Sequence, residues 1–319
     1  MISLKRLSLF TFAIVLISIC AAPYVSAQQP PLQIKPIRPS QKASVMQTVG
    51  VTDITITYSR PAVKGRPIFA DAPATMEARA KGEATLDNQN ERKAGEPIVP
   101  YNHVWRAGAN EATMFQVTDD VLINGQPLKA GTYSMHTIPG KEEWTIIFNS
   151  DDGQWGSFSY DSKKDVLRVK TKPQMVTDNQ ELLVYSFDPV TDNSATVNLR
   201  WEKIRVPFTV QVKDTKAAWR AHADALIAAN PNNEELLRQV ASTYANDKNW
   251  DEALKFVDQS IKVKETFRNL QTKANILWGV GKKEEALTVA DAAIAKGKAE
   301  KANTAAFEKR VADMKAGKM

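Results

Sequence analysis

Residues 53–59 read DITITYS, and this short stretch decides the fold expected for the front of the chain. Ile54, Ile56 and Tyr58 alternate with polar residues, which is typical of a β-strand with one buried and one wetted face. The same period of two recurs between Ala43 and Val212. It predicts further strands at 114–118, 132–138, 143–149, 155–160, 166–172, 181–188, 194–201 and 204–212.

Turn signals separate these predicted strands, and no long helical pattern lies between them. Asn124-Gly125 suits a type I′ hairpin turn, and Asp152-Gly153 suits a short loop. Asp192-Asn193 also has the composition of a turn. Many short strands at this spacing are typical of antiparallel all-β domains. We therefore expect an antiparallel β-sandwich domain over 42–213, with a barrel-like fold as the alternative.

From Asp214 onward the apolar period becomes helical, and a repeat is present at an offset of 33 residues. The repeat matches Ala241 with Ala274, Tyr244 with Leu277, Ala253 with Ala286, and Ser260 with Ala293. Small residues at these positions allow the backbones of paired helices to approach closely. The pattern predicts tetratricopeptide-like helical hairpins over 214–319, with a generic helical bundle as the alternative.

Local signals place the ends of these helices. Asn249 followed by Glu252 approximates a capping box, and the GVG segment at 279–281 marks a later turn. Helices near 215–229 and 300–315 would extend the array to three hairpins, enough to bury a core. The whole chain is thus predicted to be an α+β multidomain protein.

Residues 1–27 have the pattern of a secretory signal peptide. Lys5 and Arg6 form a basic start, an apolar run follows, and Val25-Ser26-Ala27 is a small-residue cleavage site. We expect export to the periplasm, the extracellular space or the cell envelope, with residues 28–41 as a linker. No stable membrane span is expected after cleavage.

Two alternatives to cleavage are open at this end of the chain. A membrane anchor is disfavoured because the apolar run is short and Pro23 interrupts it. A lipoprotein would use Cys20, but Ile19 is bulky for the preceding position. Cys20 is the only cysteine, so the cleaved chain would have no disulfide and no thiolate ligand.

Composition excludes several function classes. The chain has 42 basic and 36 acidic residues, and this weak, dispersed excess does not indicate nucleic-acid binding. Only three histidines occur, and none has a second histidine at metal-ligand spacing. Phosphate-loop, zinc-hydrolase and serine-hydrolase motifs are also missing from the sequence. No metal and no cofactor is therefore predicted.

Five blocks of the chain, in order, resemble one bacterial exported family, known as domain of unknown function 2911. The blocks are KASVMQTVGVTDITITYSRPAVKGRPIF (42–69), YNHVWRAGANEAT (101–113), GTYSMHTIPGKEEWTIIFN (131–149), WGSFSYDSKKDVLRVK (155–170) and DNSATVNLRW (192–201). The resemblance implies a shared fold over roughly 40–212 and supplies no activity.

Residues 70–97 interrupt the strand pattern with a segment rich in Ala, charge and amides. Compared with the resembled family, this segment looks like an insertion between two blocks that usually lie close together. The composition predicts an irregular, exposed, poorly packed surface loop. The alternative is a lid over a site formed by the flanking blocks.

The candidate site residues lie mostly in the 101–113 block and just after the first strands. Arg60, Arg66 and Arg106 are suited to bidentate capture of a carboxylate or phosphate. Trp105 offers a stacking face to a sugar or another ring. The competing interpretation makes Trp105 a core aromatic residue.

Asn110 and Glu111 complete the candidate set in that block, as groups that would orient a ligand. The competing interpretation makes Asn110 a turn residue and pairs Glu111 with Arg106 as an internal ion pair. His136 is a possible base, with a hydrogen-bonded sheet histidine as the favoured alternative. Aromatic residues on predicted strands are expected in the core: Trp144, Phe148, Trp155, Phe158, Tyr160 and Trp201.

These features favour a non-catalytic binding or structural module whose helical tail engages another protein. An anionic small molecule or a glycan is the expected ligand of the candidate site. The alternative is an envelope hydrolase that acts on a glycan or small ester, using Glu111 with a second carboxylate or His136. No catalytic residue is assigned from the sequence.

Overall fold

The computed structural model describes residues 37–79 and 92–318. The predicted signal peptide and most of the predicted linker lie outside these residues. The strands are β1 (Gln41–Val49), β2 (Thr52–Arg60), β3 (Phe69–Ala70), β4 (Val99–Pro100), β5 (Thr113–Val117), β6 (Val121–Ile123), β7 (Gln126–Leu128), β8 (Gly131–Ile138), β9 (Trp144–Asn149), β10 (Asp165–Thr171), β11 (Gln174–Val190) and β12 (Ser194–Gln211). The helices are α1 (Ala74–Glu77), α2 (Thr215–Ala229), α3 (Glu234–Asn246), α4 (Trp250–Val263), α5 (Phe267–Val280), α6 (Lys283–Ala299) and α7 (Ala305–Lys315).

Two antiparallel sheets pack face to face and form the sandwich. One sheet has the order β1-β2-β5-β8-β9-β10 and the other has the order β11-β12-β6-β7. Their inner faces share one apolar core, in which Phe208 from the second sheet lies 6.4 Å from Phe115 and 6.0 Å from Phe148, centroid to centroid. The predicted fold class, antiparallel sheets followed by helices, is confirmed.

The alternation of apolar and polar residues located most strands correctly, because every second side chain of these strands faces the core. Ile54 and Ile56 are fully buried in the core, as the opening stretch predicts. The Asn124-Gly125 turn joins β6 to β7 with both residues at positive φ, 47° and 83°, as a type I′ turn requires. The two predicted strands at 194–201 and 204–212 are instead one strand, β12. The register of β12 against β11 shifts at Glu202, whose backbone has φ 53°.

Residues 155–160 do not form the predicted strand. Trp155 makes a single bridge to Glu111, and the chain then turns through Gly156 at φ 67°. Trp155 and Phe158 are exposed, at 54% and 47%, so their predicted place in the core is wrong. The spacing of the aromatic residues explains the error. Positions 155 and 158 are three residues apart, so they cannot face the same side of a strand, as 158 and 160 can.

The prediction of an irregular, exposed and poorly packed loop over 70–97 is partly wrong, at both ends of the segment. Residues 74–77 form the short helix α1, whose Met76 is buried at 1% exposure. Arg79 donates to the Glu96 carboxylate at 2.6 Å, and Glu96 is itself buried. Residues 80–91 lie outside the described residues, so the lid alternative stays a prediction.

The helical region consists of hairpins α3–α4 and α5–α6, flanked by α2 and α7. All eight residues of the predicted repeat are buried, and the small ones lie at full burial, where helices approach closely. The predicted capping box at Asn249 is absent, because the Asn249 backbone N–H donates to the Tyr244 carbonyl and Glu252 pairs with Lys255. A capping box is present at Thr266 instead.

Helix α2 packs directly on the sandwich. Ala218 packs against the sandwich core, and His222 Nε2 lies 2.7 Å from Asp119 Oδ1. The Asp119 carboxylate also accepts a hydrogen bond, at 2.8 Å, from the hydroxyl of Thr52, which is the first residue of β2. The described residues between 39 and 318 therefore form one compact unit, in which the predicted boundary near 213 is a tight junction.

Ala253→Trp is predicted to destabilise the helical hairpins, because Ala253 has no exposed surface and a large ring there would overpack the α3–α4 contact. Thermal unfolding followed by circular dichroism at 222 nm should show a lower midpoint. The control variant is Ala225→Trp, which introduces the same ring on the exposed face of α2, where it is not buried. Equal melting of the two variants would contradict this packing.

The acid stability of α3 is predicted to depend on Glu235. Two hydrogen bonds from Arg238, at 2.9 and 2.6 Å, lower the pKa of Glu235 to about 2 from 4.5. A lowered pKa means that this stabilisation is present above about pH 4.5 and is lost as the pH falls toward 2. The pair is partly exposed, so the effect should stay below about 1 kcal/mol.

Urea unfolding at pH 5 and pH 3 measures this loss. Glu235→Gln should lose less stability between the two pH values than the wild type. Glu234→Gln, in the same helical turn, is the matched control and should behave like the wild type. An identical pH dependence in all three proteins would show that the Glu235–Arg238 pair contributes nothing.

Candidate functional site

The loop at 101–112 is fixed by Trp105, which is buried at 2% exposure. Its backbone N–H and C=O exchange hydrogen bonds with Thr137 of β8, both at 2.8 Å. Its ring stacks on Trp201 of β12 at 5.9 Å and meets Phe69 and Trp144 edge to face. Trp105 is therefore a core aromatic residue, and it holds the loop between the two sheets.

The residues after Trp105 form a tight turn that depends on buried hydrogen bonds. Ala107 and Asn110 have positive φ, 53° and 61°. The Ala107 carbonyl accepts from the Thr113 hydroxyl at 2.9 Å and from the Tyr185 hydroxyl at 2.8 Å. Burial raises the pKa of Tyr185 well above 10, which keeps this hydroxyl protonated as a donor. A Cβ at Gly108 would lie 2.9 Å from the Thr113 Oγ1, so only glycine fits there without a shift.

This turn forms one wall of a pocket with a volume of about 270 Å³. Four of the seven predicted site residues line the pocket: Arg66, Trp105, Arg106 and Asn110. The other lining residues are Pro39, Ser40, Pro61, Ala62, Lys64, Ile98, Gly108 and Ala109. Three lining residues are cationic and none is acidic, so the lining carries a positive charge.

Local hydrogen bonds hold the opposite wall. Arg66 donates from Nε to the Val63 carbonyl at 3.1 Å and from Nη2 to the Ala62 carbonyl. Lys64, at φ 48°, donates its backbone N–H to the Glu181 carboxylate at 2.8 Å. Lys64 and Arg66 are exposed, whereas Arg106 is buried at 5% exposure. Two cations thus stand at the mouth of the pocket and one lies deeper.

Asn110 ties the turn to two other segments of the chain. Its side-chain Nδ2 donates to the Ser40 carbonyl at 2.9 Å, just before β1. Its own carbonyl accepts from the Gly156 N–H at 2.9 Å. Asn110 is therefore a turn residue that also lines the pocket, and its predicted role in binding a ligand stays a prediction.

The remaining three predicted residues do not line this pocket. Arg60 donates from Nε to the Leu183 carbonyl at 2.8 Å and ties β2 to β11. Glu111 forms its backbone bridge to Trp155. His136 has no exposed surface, and its Nε2 lies 3.2 Å from the Ser134 hydroxyl, beside the Tyr160 ring. His136 is thus a buried sheet histidine, and the Arg106–Glu111 ion pair stays a prediction.

A second polar cluster, which the sequence analysis missed, lies near His136. The Asp165 carboxylate accepts from the Tyr160 hydroxyl at 2.7 Å, from Arg168 Nε at 2.6 Å and from Asn149 Nδ2 at 2.8 Å. Burial, reinforced by Asp165, raises the pKa of Tyr160 above its ordinary value of 10. The Asp165-x-x-Arg168 spacing was visible in the sequence, but the return of Tyr160 onto the sheet was not. The cluster holds the β9–β10 connection against the sheet.

Neither a metal centre nor a membrane span is found in the part of the chain that the structure describes. No group of three or more His, Cys, Asp or Glu side chains in residues 37–79 and 92–318 is arranged to hold a metal ion. Across the same residues, every helix is too short or too polar to cross a bilayer.

Comparison with known families places most of the sheet-forming part of the chain. Residues 40–80 and 86–210 match the family described as "Protein of unknown function (DUF2911)". The match covers more than half of the 319 residues, so the chain belongs to this family. It leaves out only residues 81–85 between its two parts, a far shorter interruption than the predicted insertion. No curated protein matches the chain.

The predicted Arg106–Glu111 ion pair can be tested by a double-mutant cycle. If Arg106 and Glu111 form the ion pair of the competing interpretation, Arg106→Ala and Glu111→Ala should each destabilise the protein, because each leaves its charged partner without a counterion, and the loss at a buried pair reaches about 3–5 kcal/mol. The double variant should lose less than the sum of the single losses, as measured by urea unfolding. Additive losses would show that the two side chains do not interact.

Proposed function

We propose that this member of the DUF2911 family is a non-catalytic binding module of the cell envelope, and that its pocket binds a small organic anion. The observation that carries the proposal is the pocket lining, which includes Lys64, Arg66 and Arg106 but no carboxylate. Arginine guanidinium groups bind carboxylates and phosphates through paired, directional hydrogen bonds. A concave surface with this charge favours an anionic ligand over a neutral or cationic one.

The size of the pocket limits the ligand. A volume of about 270 Å³ is near the lower end for pockets that bind small molecules. It suits a single acid group with a few neighbouring atoms, or the acidic end of a longer ligand. Pro61, Ile98 and Trp105 provide apolar wall, and Ser40 and Asn110 provide polar wall. The pocket therefore combines charge attraction with limited shape selection.

The arrangement of titratable groups favours binding over hydrolysis. A hydrolase needs two titratable groups close to one another and to a pocket. Glu111 and His136, the two candidates for that role, are not among the residues that line the pocket. His136 has no exposed surface from which to reach a substrate. The lining of the pocket thus supports a binding role.

The helical region supports a second part of the proposal, which is interaction with a partner protein. Helices α3 and α5, with Trp250 at the start of α4, line a groove of about 260 Å³. Its residues are uncharged: Ser242, Ala245, Asn246, Trp250, Thr272, Asn275 and Ile276. Amide and hydroxyl groups beside an indole ring are suited to an uncharged peptide segment. The signal pattern at 1–27 supports location in the envelope.

Ligand-induced stabilisation tests the anion proposal. At low ionic strength, the purified protein is heated with a panel of acetate, succinate, galacturonate and inorganic phosphate. At least one anion should raise the melting temperature, since a ligand at 100 times its Kd stabilises by about 2.7 kcal/mol. Lys64→Gln/Arg66→Gln should lose most of this rise, because it removes two of the three lining cations.

Lys203→Gln/Arg205→Gln is the control for this experiment. It removes the same two charges from exposed positions on β12, outside the pocket lining. The control should retain the full stabilisation by the anion. The proposal fails if no anion in the panel stabilises the protein, or if both double variants respond like the wild type.

A further inference from the structure

The segment 154–158 lies directly beside the pocket. Its Gly156 N–H donates to the Asn110 carbonyl at 2.9 Å, and the Gln154 carbonyl accepts from the Ala112 N–H at 2.9 Å. Trp155 bridges Glu111 between these two contacts. The segment therefore runs alongside the same turn that carries Arg106 and Asn110 into the pocket wall.

Gly156 brings an aromatic ring close to the buried cation of the pocket. A Cβ at Gly156 would lie 3.2 Å from Arg106 Nη1 and 3.0 Å from Phe158 Cε2. The guanidinium and the ring thus approach the same point, and the missing side chain leaves room for both. Gly156 also has φ 67°, a conformation that glycine adopts readily and other residues rarely do.

Trp155 and Phe158, within two residues of Gly156, lie outside the pocket lining and are unusually exposed for large aromatic residues; we name them the rim aromatics. Trp155 is 54% exposed and Phe158 is 47% exposed. In the part of the chain that the structure describes, they are the only exposed tryptophan and phenylalanine. Complete burial of a large apolar side chain contributes about 1.5–3 kcal/mol, and these half-exposed rings forgo part of it. Exposed aromatic surface beside a charged pocket is typical of a binding surface.

From this juxtaposition we infer that the ligand is an acidic sugar, whose carboxylate enters the cationic pocket while its ring packs on the rim aromatics. The inference rests on the proposed anion-binding function and adds the class of ligand. A sugar ring presents C–H groups that pack on an aromatic face. Its hydroxyls suit the polar wall formed by Ser40 and Asn110, whereas a purely aromatic acid has no hydroxyl group to place there.

Calorimetric titration with galacturonate, galactose, acetate and benzoate tests the inference. Galacturonate should bind roughly tenfold more tightly than acetate, because ring packing adds to the shared carboxylate contact. Galactose, which lacks the carboxylate, should bind much more weakly than galacturonate. Trp155→Ala/Phe158→Ala should lower the affinity for galacturonate roughly tenfold and leave the affinity for acetate unchanged.

Two controls separate the possible outcomes. Met46→Ala/Met175→Ala removes two exposed apolar side chains elsewhere and should bind galacturonate like the wild type. The melting temperature of each variant confirms that it folds. The inference is overturned if galacturonate binds no better than acetate, if the rim variant binds it like the wild type, or if benzoate binds more tightly. In those cases acetate binding still supports the anion pocket, whereas failure of every anion defeats both proposals.

Discussion

The stacking of Trp105 on Trp201 is the contact on which the wall of the pocket depends. Trp105 comes from a loop, Trp201 from β12 in one sheet, and Trp144 from β9 in the other, and Phe69 touches all three rings. This aromatic layer locks an irregular loop into the space between two sheets. Aromatic side chains suit this role because they bury a large area with few rotatable bonds.

Once the loop is locked, its backbone has little freedom and must accept unusual conformations. Ala107 and Asn110 adopt positive φ, and the Ala107 carbonyl is satisfied by two buried hydroxyls. The strain is tolerated because the surrounding packing over-determines the turn. The result is a well-packed wall for the pocket, on which the fold itself positions Arg106. Pre-organisation of this kind lowers the entropic cost of binding.

The helical region is tied to the same scaffold through α2. Ala218 packs against the sandwich core, and His222 lies within hydrogen-bonding distance of Asp119. Asp119 also accepts a hydrogen bond from Thr52 at the start of β2. Helices farther along the chain pack on one another through small residues such as Ala253 and Ala286. The cationic pocket and the uncharged groove of α3 and α5 thus lie in one compact unit.

The sequence by itself determined the elements, because strand and helix periods are local properties of neighbouring residues. Ile54 and Ile56 marked a strand, and the matched Ala241 and Ala274 marked helix contacts. Only the tertiary structure decided the site, because its walls come from segments far apart in the chain. It brought Arg66 to Arg106, left His136 buried on its strand, and added Lys64, which no pattern singled out. It also exposed Trp155 and Phe158. Whether an aromatic residue is buried depends on what the fold places over it, which local composition does not encode.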